Sequence, residues 1–149
     1  MKSWLDYISF GETGTGGWSN GDGLIHCVRA AYDLESEDFQ VSLLKHEAQH
    51  AMDQARYKDI TNEELEYRAK LVELIYSRER RMLERFVSQA DVTKTDNGHG
   101  LAAERIVRGF EICLKKDRGS LTELPIESVQ TIAQSLFYES SEEIAAKYR

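Results

Sequence analysis

The chain has 149 residues, 41% of them hydrophobic, and a formal net charge of −7. That is enough apolar content for one compact domain spanning 1–149, and the acidic balance argues against a nucleic-acid partner. No window approaches the ~18 apolar residues of a membrane span. Two cysteines, Cys27 and Cys113, are too few for a disulfide framework.

The N-terminal third, 1–35, reads as two strands and a glycine-rich loop. Met1-Lys2-Ser3-Trp4 opens no signal-peptide apolar run, so the chain is expected to be cytoplasmic or cut from a longer precursor. Trp4–Phe10 and Leu24–Tyr32 are rich in aromatic and β-branched residues and are bracketed by glycine. Between them, Gly11 to Gly23 is expected to be a loop or hairpin. It is no dinucleotide fingerprint: after Gly14 and Gly16 the third glycine position holds Ser19, and the segment leads to a strand rather than a helix. Cys27, inside the apolar run Leu24-Ile25-His26-Cys27-Val28, reads as a buried cysteine, and His26 as structural or substrate-lining.

A helix is predicted over 38–57, with an apolar stripe at 41, 44, 48, 51/52 and 55 facing the core. The opposite stripe carries His46, His50, Asp53 and Tyr57. Within it lies His46-Glu47-Ala48-Gln49-His50, an H-E-x-x-H pattern. Residues four apart on a helix have Cβ atoms about 5–6 Å apart, so both imidazoles can converge on one ion. Glu47 points partly aside, where it can take a proton from a water at the remaining coordination position.

Thr61-Asn62-Glu63-Glu64 forms a capping box that starts a second helix over 61–90, with Leu65, Ala69, Val72, Tyr76, Leu83 and Phe86 facing the core. A third metal donor can come from Glu63, Glu64, Glu66 or Glu73. Glu64 is occupied by the cap, Glu63 sits at the fraying start, and Glu66 lies one turn in, beside the small Ala69. The cluster Arg78-Glu79-Arg80-Arg81 mixes signs with Glu84-Arg85 and reads as a solvated face. Asp91 to Gly100 is a polar loop. The C-terminal region, 100–149, reads as an amphipathic helix over Leu101–Lys116, a second from Pro125 to about Phe137, and a short last helix capped by Ser140-Ser141-Glu142-Glu143.

The H-E-x-x-H, followed on the next helix by Glu66-Tyr67-Arg68-Ala69, resembles the gluzincin branch of the zincin metallopeptidases over roughly residues 24–90. The fold expected is α+β but predominantly α: a minimal zincin-like domain with a small N-terminal sheet or hairpin, an active-site helix, a glutamate helix and C-terminal helices. The resemblance implies Zn²⁺ on His46, His50 and Glu66, Glu47 as general base and acid, and a peptide or protein substrate paired along Leu24–Tyr32. The family often has an acidic residue four after the glutamate. Here that position is Lys70, so Asp53 is expected to orient a ligand histidine from outside the metal shell. His99 and Tyr76 are the expected candidates for stabilising the oxyanion. Glu73 lies two turns beyond Glu66, roughly 10 Å of helix rise, and is expected to be dispensable for metal binding. The metzincin extension is absent, since 53 is Asp and 56 is Arg, and Cys27 lacks the loop setting of a deformylase ligand. Two alternatives stand beside a peptidase: a catalytically inactive zinc- and peptide-binding module, and a non-proteolytic zinc amidohydrolase.

Overall fold

A computed structural model describes residues 17–19, 24–28, 32–90 and 98–148. The described residues are predominantly helical. Two short strands, β1 (Gly17–Ser19) and β2 (Ile25–Cys27), pair antiparallel with Trp18 opposite His26. β1 falls inside the glycine-rich stretch, so that stretch contributes to a hairpin. The strand expected at Trp4–Phe10 lies outside the described residues, as do 91–97. Cys27 is exposed, not buried.

The predicted 38–57 helix is present but is not uniform. Asp38–Lys45 is wound as a π-helix, and α1 (His46–Arg56) continues it with ordinary α geometry. The His46 N–H reaches back to the Val41 carbonyl, five residues earlier. This register change overturns the expected apolar stripe. Val41 and Leu43 are buried ahead of it, and the buried face of α1 is His46, Gln49 and Asp53. Met52 is 66% exposed, and Ala48 and Ala55 are exposed as well. A stripe projected at a constant 3.6 residues per turn cannot survive a π segment, which adds a residue to the repeat.

α2 (Asn62–Tyr76) is the central element, and every residue from Leu65 to Leu74 is buried. It packs against α1, α4 (Gly98–Leu114) and α5 (Ile126–Lys147). The expected capping box is present: the Glu64 N–H donates to Thr61 Oγ1, and Glu64 Oε2 accepts from the Thr61 N–H. The glutamate helix does not run on to Ala90. It stops at Tyr76 and restarts as α3 (Arg81–Gln89). Ser77 takes an extended backbone there; its hydroxyl donates to Glu37 Oε1 at 2.6 Å, its carbonyl accepts from Gln130, and the Arg78 N–H donates to Glu37 Oε2. Three long-range bonds at one corner outweigh the local helical preference of the sequence.

α4 ends where Lys115 adopts a left-handed conformation (φ 52°), with the Lys116 N–H returning to the Glu111 carbonyl. The helix was expected to end at Lys116 and ends at Leu114, though the left-handed residue there is Lys115 rather than the glycine that usually marks it. After a 3₁₀ turn (Arg118–Glu123), α5 runs unbroken past Ser140 and Ser141, where a separate cap was expected. Ser141 instead bonds the Phe137 carbonyl one turn back, and Ser140 is buried. The core joins Leu71 and Leu74 of α2, Leu83 and Phe86 of α3, Ile106 and Phe110 of α4, and Val129, Ala133 and Leu136 of α5.

Glu64 also ties the end of α5 to the start of α2, accepting from Lys147 at 2.9 Å and from the Tyr148 hydroxyl. Burial raises its carboxyl, but the bonds from Tyr148, Lys147 and Thr61 outweigh this and bring it from 4.5 to about 2. A carboxyl lower in the folded than in the unfolded chain stabilises fully above pH 4.5, and that stabilisation is lost as pH falls toward 2. Glu64→Gln is therefore expected to flatten the acid limb of the stability curve in this window, read as urea midpoints from pH 2 to 6.

Candidate metal centre

The α1–α2 interface is polar, and its centre is a convergence of nitrogen and oxygen lone pairs. His46, His50 and Glu66 offer ligand atoms that all lie within 4.8 Å of one another. The two Nε2 atoms are 2.8 Å apart; Glu66 Oε2 is 3.5 Å from His46 Nε2, and Oε1 is 3.5 Å from His50 Nε2. Tetrahedral zinc with 2.0–2.1 Å bonds places its ligand atoms about 3.3 Å apart, so the His–His edge must open by about 0.5 Å and one Glu66 oxygen must settle between the two nitrogens. Glu66 Oε2 is buried, and the nitrogens nearest it, His99 Nδ1 at 2.8 Å and His46 Nε2 at 3.5 Å, are not aligned as hydrogen bonds. A buried carboxylate oxygen left in that state is costly, and a cation relieves it. The donor set, two imidazoles and one carboxylate, suits zinc and leaves a fourth position for water.

The tautomer of His46 follows from its surroundings. Nδ1 lies 2.7 Å from Glu73 Oε1, and an ionised carboxylate only accepts, so Nδ1 carries a proton and Nε2 faces the cluster. Burial alone would lower the His46 pKa, but Glu66 and Glu73 more than reverse this and raise it to about 9. His50 is pushed down to about 4, by burial first and then by the charge on His46. For Glu66, burial is outweighed by contacts from His46 and His99, which hold its carboxyl well below the usual range. In the metal-free protein a proton on His46 thus stands where a cation would balance the same carboxylates. Metal binding must displace it.

Glu47 is half-buried, and burial raises its carboxyl above the usual range, against the pull of the His46 charge. Such a shift brings a carboxylate closer to the pH at which a general base works best. His99, expected in a flexible loop, lies instead in the first turn of α4, with Nδ1 2.8 Å from Glu66 Oε2. The structure therefore gathers His46, Glu47, His50, Glu66 and His99.

Two expected residues lie elsewhere. Asp53 Oδ2 accepts from Arg68 Nε at 2.7 Å and from Gln49 at 2.9 Å; it is a buried partner of an arginine, not of a ligand histidine. Arg68 captures it because a buried guanidinium requires a carboxylate, and Asp53 faces it across the interface. Tyr76 is 53% exposed beneath Lys45, whose Nζ sits 4.0 Å over its ring. Ten residues beyond Glu66, it is about 15 Å along the helix from the ligand set.

Glu73, expected to stand apart from the metal group, lies against the outer nitrogen of His46. Its distance from Glu66 is what suits it to the outer nitrogen of His46, because the imidazole spans the gap. The spacing of Glu66, Lys70 and Glu73 (i, i+4, i+7) carried the signal, since it puts both glutamates on one face. Arg85 anchors Glu73 from its other side, at 3.3 Å.

No protein-family model, curated protein or solved structure matches the chain.

The contact between Glu73 and His46 leads to a different prediction for Glu73. Glu73→Ala is expected to weaken zinc affinity about 10–100-fold, the cost typical of losing a partner that orients a ligand histidine. Asp53→Ala should leave affinity within a few-fold while lowering stability by about 3–5 kcal/mol, since it strands a buried Arg68. Chelator competition and urea denaturation of the two variants separate these roles.

Proposed function

We propose that this chain is a zinc-dependent metallopeptidase of gluzincin type. The observation that carries the reading is the convergence of His46, His50 and Glu66, with Glu73 on the outer nitrogen of His46. His46 and His50 from α1 and Glu66 from α2 would hold the metal. When bound, zinc supplies Lewis acidity toward a carbonyl oxygen and acidifies a water. Glu47 would take a proton from the attacking water as its oxygen adds to the peptide carbonyl, and return it to the amine as the C–N bond breaks. Its partly buried carboxyl, raised toward neutral pH, suits both halves of this exchange.

His99 is the nearest of the expected oxyanion-stabilising residues, and Tyr76 is set aside by its place at the far end of α2. β1 is the hairpin strand that lies against α1. An extended substrate is accordingly proposed to lie along that hairpin by strand addition. Among the described residues no helix is long and apolar enough to cross a membrane.

The two-stranded hairpin is a small substrate platform, and this favours a second reading in which the site binds metal and peptide without cleaving. Zinc content followed by digestion of a random peptide pool separates the two, and a pool left intact while small amides are hydrolysed identifies an amidohydrolase. Glu47→Gln is expected to retain one zinc and lose at least ~10²-fold in turnover. Wild-type rates in that variant would remove Glu47 from the mechanism.

A further inference from the structure

We propose that His99 is a positioning residue that fixes the Glu66 carboxylate from α4, so that the metal is gripped across three helices rather than two. This rests on the reading of His46, His50 and Glu66 as ligands. His99 Nδ1 approaches Glu66 Oε2 to 2.8 Å, while Oε1 faces His50. With Nδ1 against Oε2 as a close charge contact, rotation of the carboxylate is restrained while Oε1 stays toward His50.

The His99 ring stands outside the ligand layer. Its centroid is 6.4 Å from that of His46 with the planes 26° apart, whereas the His46 and His50 centroids are 4.6 Å apart. The contact also depends on backbone placement. A Cβ built on Gly98 would meet Asn62 Nδ2 at 2.5 Å and Glu66 Cγ at 3.7 Å. The first turn of α4 therefore rests directly on the first turn of α2, at the level of the ligand. Gly98 leaves room there for the Asn62 amide, directly before His99.

An exposed histidine is ordinarily free to choose among rotamers, and the His99 side chain is 61% exposed. Its contact therefore ties an exposed ring to a buried carboxylate. Groups that hold a ligand in this way typically contribute about 10–100-fold to metal affinity.

The test uses the full chain, with zinc affinity from chelator competition, the visible spectrum of the Co²⁺-substituted protein, and a thermal melt of each metal-free variant. His99→Ala is expected to keep its metal-free melting temperature within a few degrees, to bind zinc about 10–100-fold more weakly, and to shift the cobalt bands as Glu66 relaxes. His99→Asn, whose amide N–H occupies much the same place as Nδ1–H, is expected to recover most of the affinity and the wild-type spectrum. Affinity and spectrum unchanged in His99→Ala, with wild type binding one zinc, would overturn this inference and leave the metal site standing. A cobalt spectrum reporting one nitrogen fewer in both variants, with no recovery by Asn, would make His99 a direct ligand and overturn the positioning role. Wild-type protein that takes up neither metal would overturn the ligand assignment itself.

Discussion

Burying charge along one helix is the constraint to which the rest of this structure answers. Within the buried run of α2 stand Glu66, Arg68, Lys70 and Glu73, four ionisable side chains taken out of water together. An isolated charge in such a place costs several kcal/mol, so each neighbouring element must bring a partner. α1 brings Asp53 to Arg68 and His46 to Glu73; α3 brings Arg85 to Glu73; α4 brings His99 to Glu66. Lys70 has the weakest arrangement, with Nζ 3.3 Å from the Gln89 amide oxygen and 4.3 Å over the Phe86 ring, and burial lowers its pKa despite the two glutamates nearby. The order of packing around α2 is therefore an order of charge neutralisation. The apolar core of Leu71, Leu74, Phe86 and Phe110 lies on its other side.

Within that pattern Glu66 differs from the other three. Arg68 and Glu73 meet partners in direct geometry, whereas Glu66 is ringed by three imidazoles of which two contribute inward-facing nitrogens, and its Oε2 receives no aligned hydrogen bond. A structural ion pair does not need three histidines, and the His46 and His50 rings, 2.8 Å apart at Nε2, must share a proton or a cation between them. A divalent cation held there would balance the same carboxylate with twice the charge of a proton.

How much of this was legible in the sequence follows from which signals are local. The H-E-x-x-H spacing fixed two inward nitrogens with only a helix assumed, and the Thr61–Glu64 capping box fixed where α2 begins. Glu66 followed from the short link between α1 and α2. Asp53 was expected against a ligand histidine, but Glu73 is the carboxylate on His46, because Arg68 claims Asp53 through a tertiary contact that the sequence does not show. The apolar stripe at 41, 44, 48 and 52 was misread for a different reason: a π-helical segment changes the repeat without any proline or glycine to announce it. The stop at Ser77 and the left-handed Lys115 were likewise invisible, one set by Glu37 and Gln130 from distant segments, the other lacking the usual glycine.

The π segment and the polar face of α1 are connected. A regular helix from Asp38 would carry Val41, Leu44, Ala48 and Met52 along one stripe and turn the histidines away from it, toward solvent. Winding the first eight residues as a π-helix lets Val41 and Leu43 stay buried while His46, Gln49 and Asp53 turn onto α2. The cost is poorer hydrogen-bond geometry at the start of the helix and an exposed Met52. The return is that apolar and ligand-bearing residues of one continuous helix both face inward, which a single 3.6-residue period cannot provide. His46 is the first residue after the change, so the ligand whose two nitrogens contact both Glu66 and Glu73 is placed by the register shift itself.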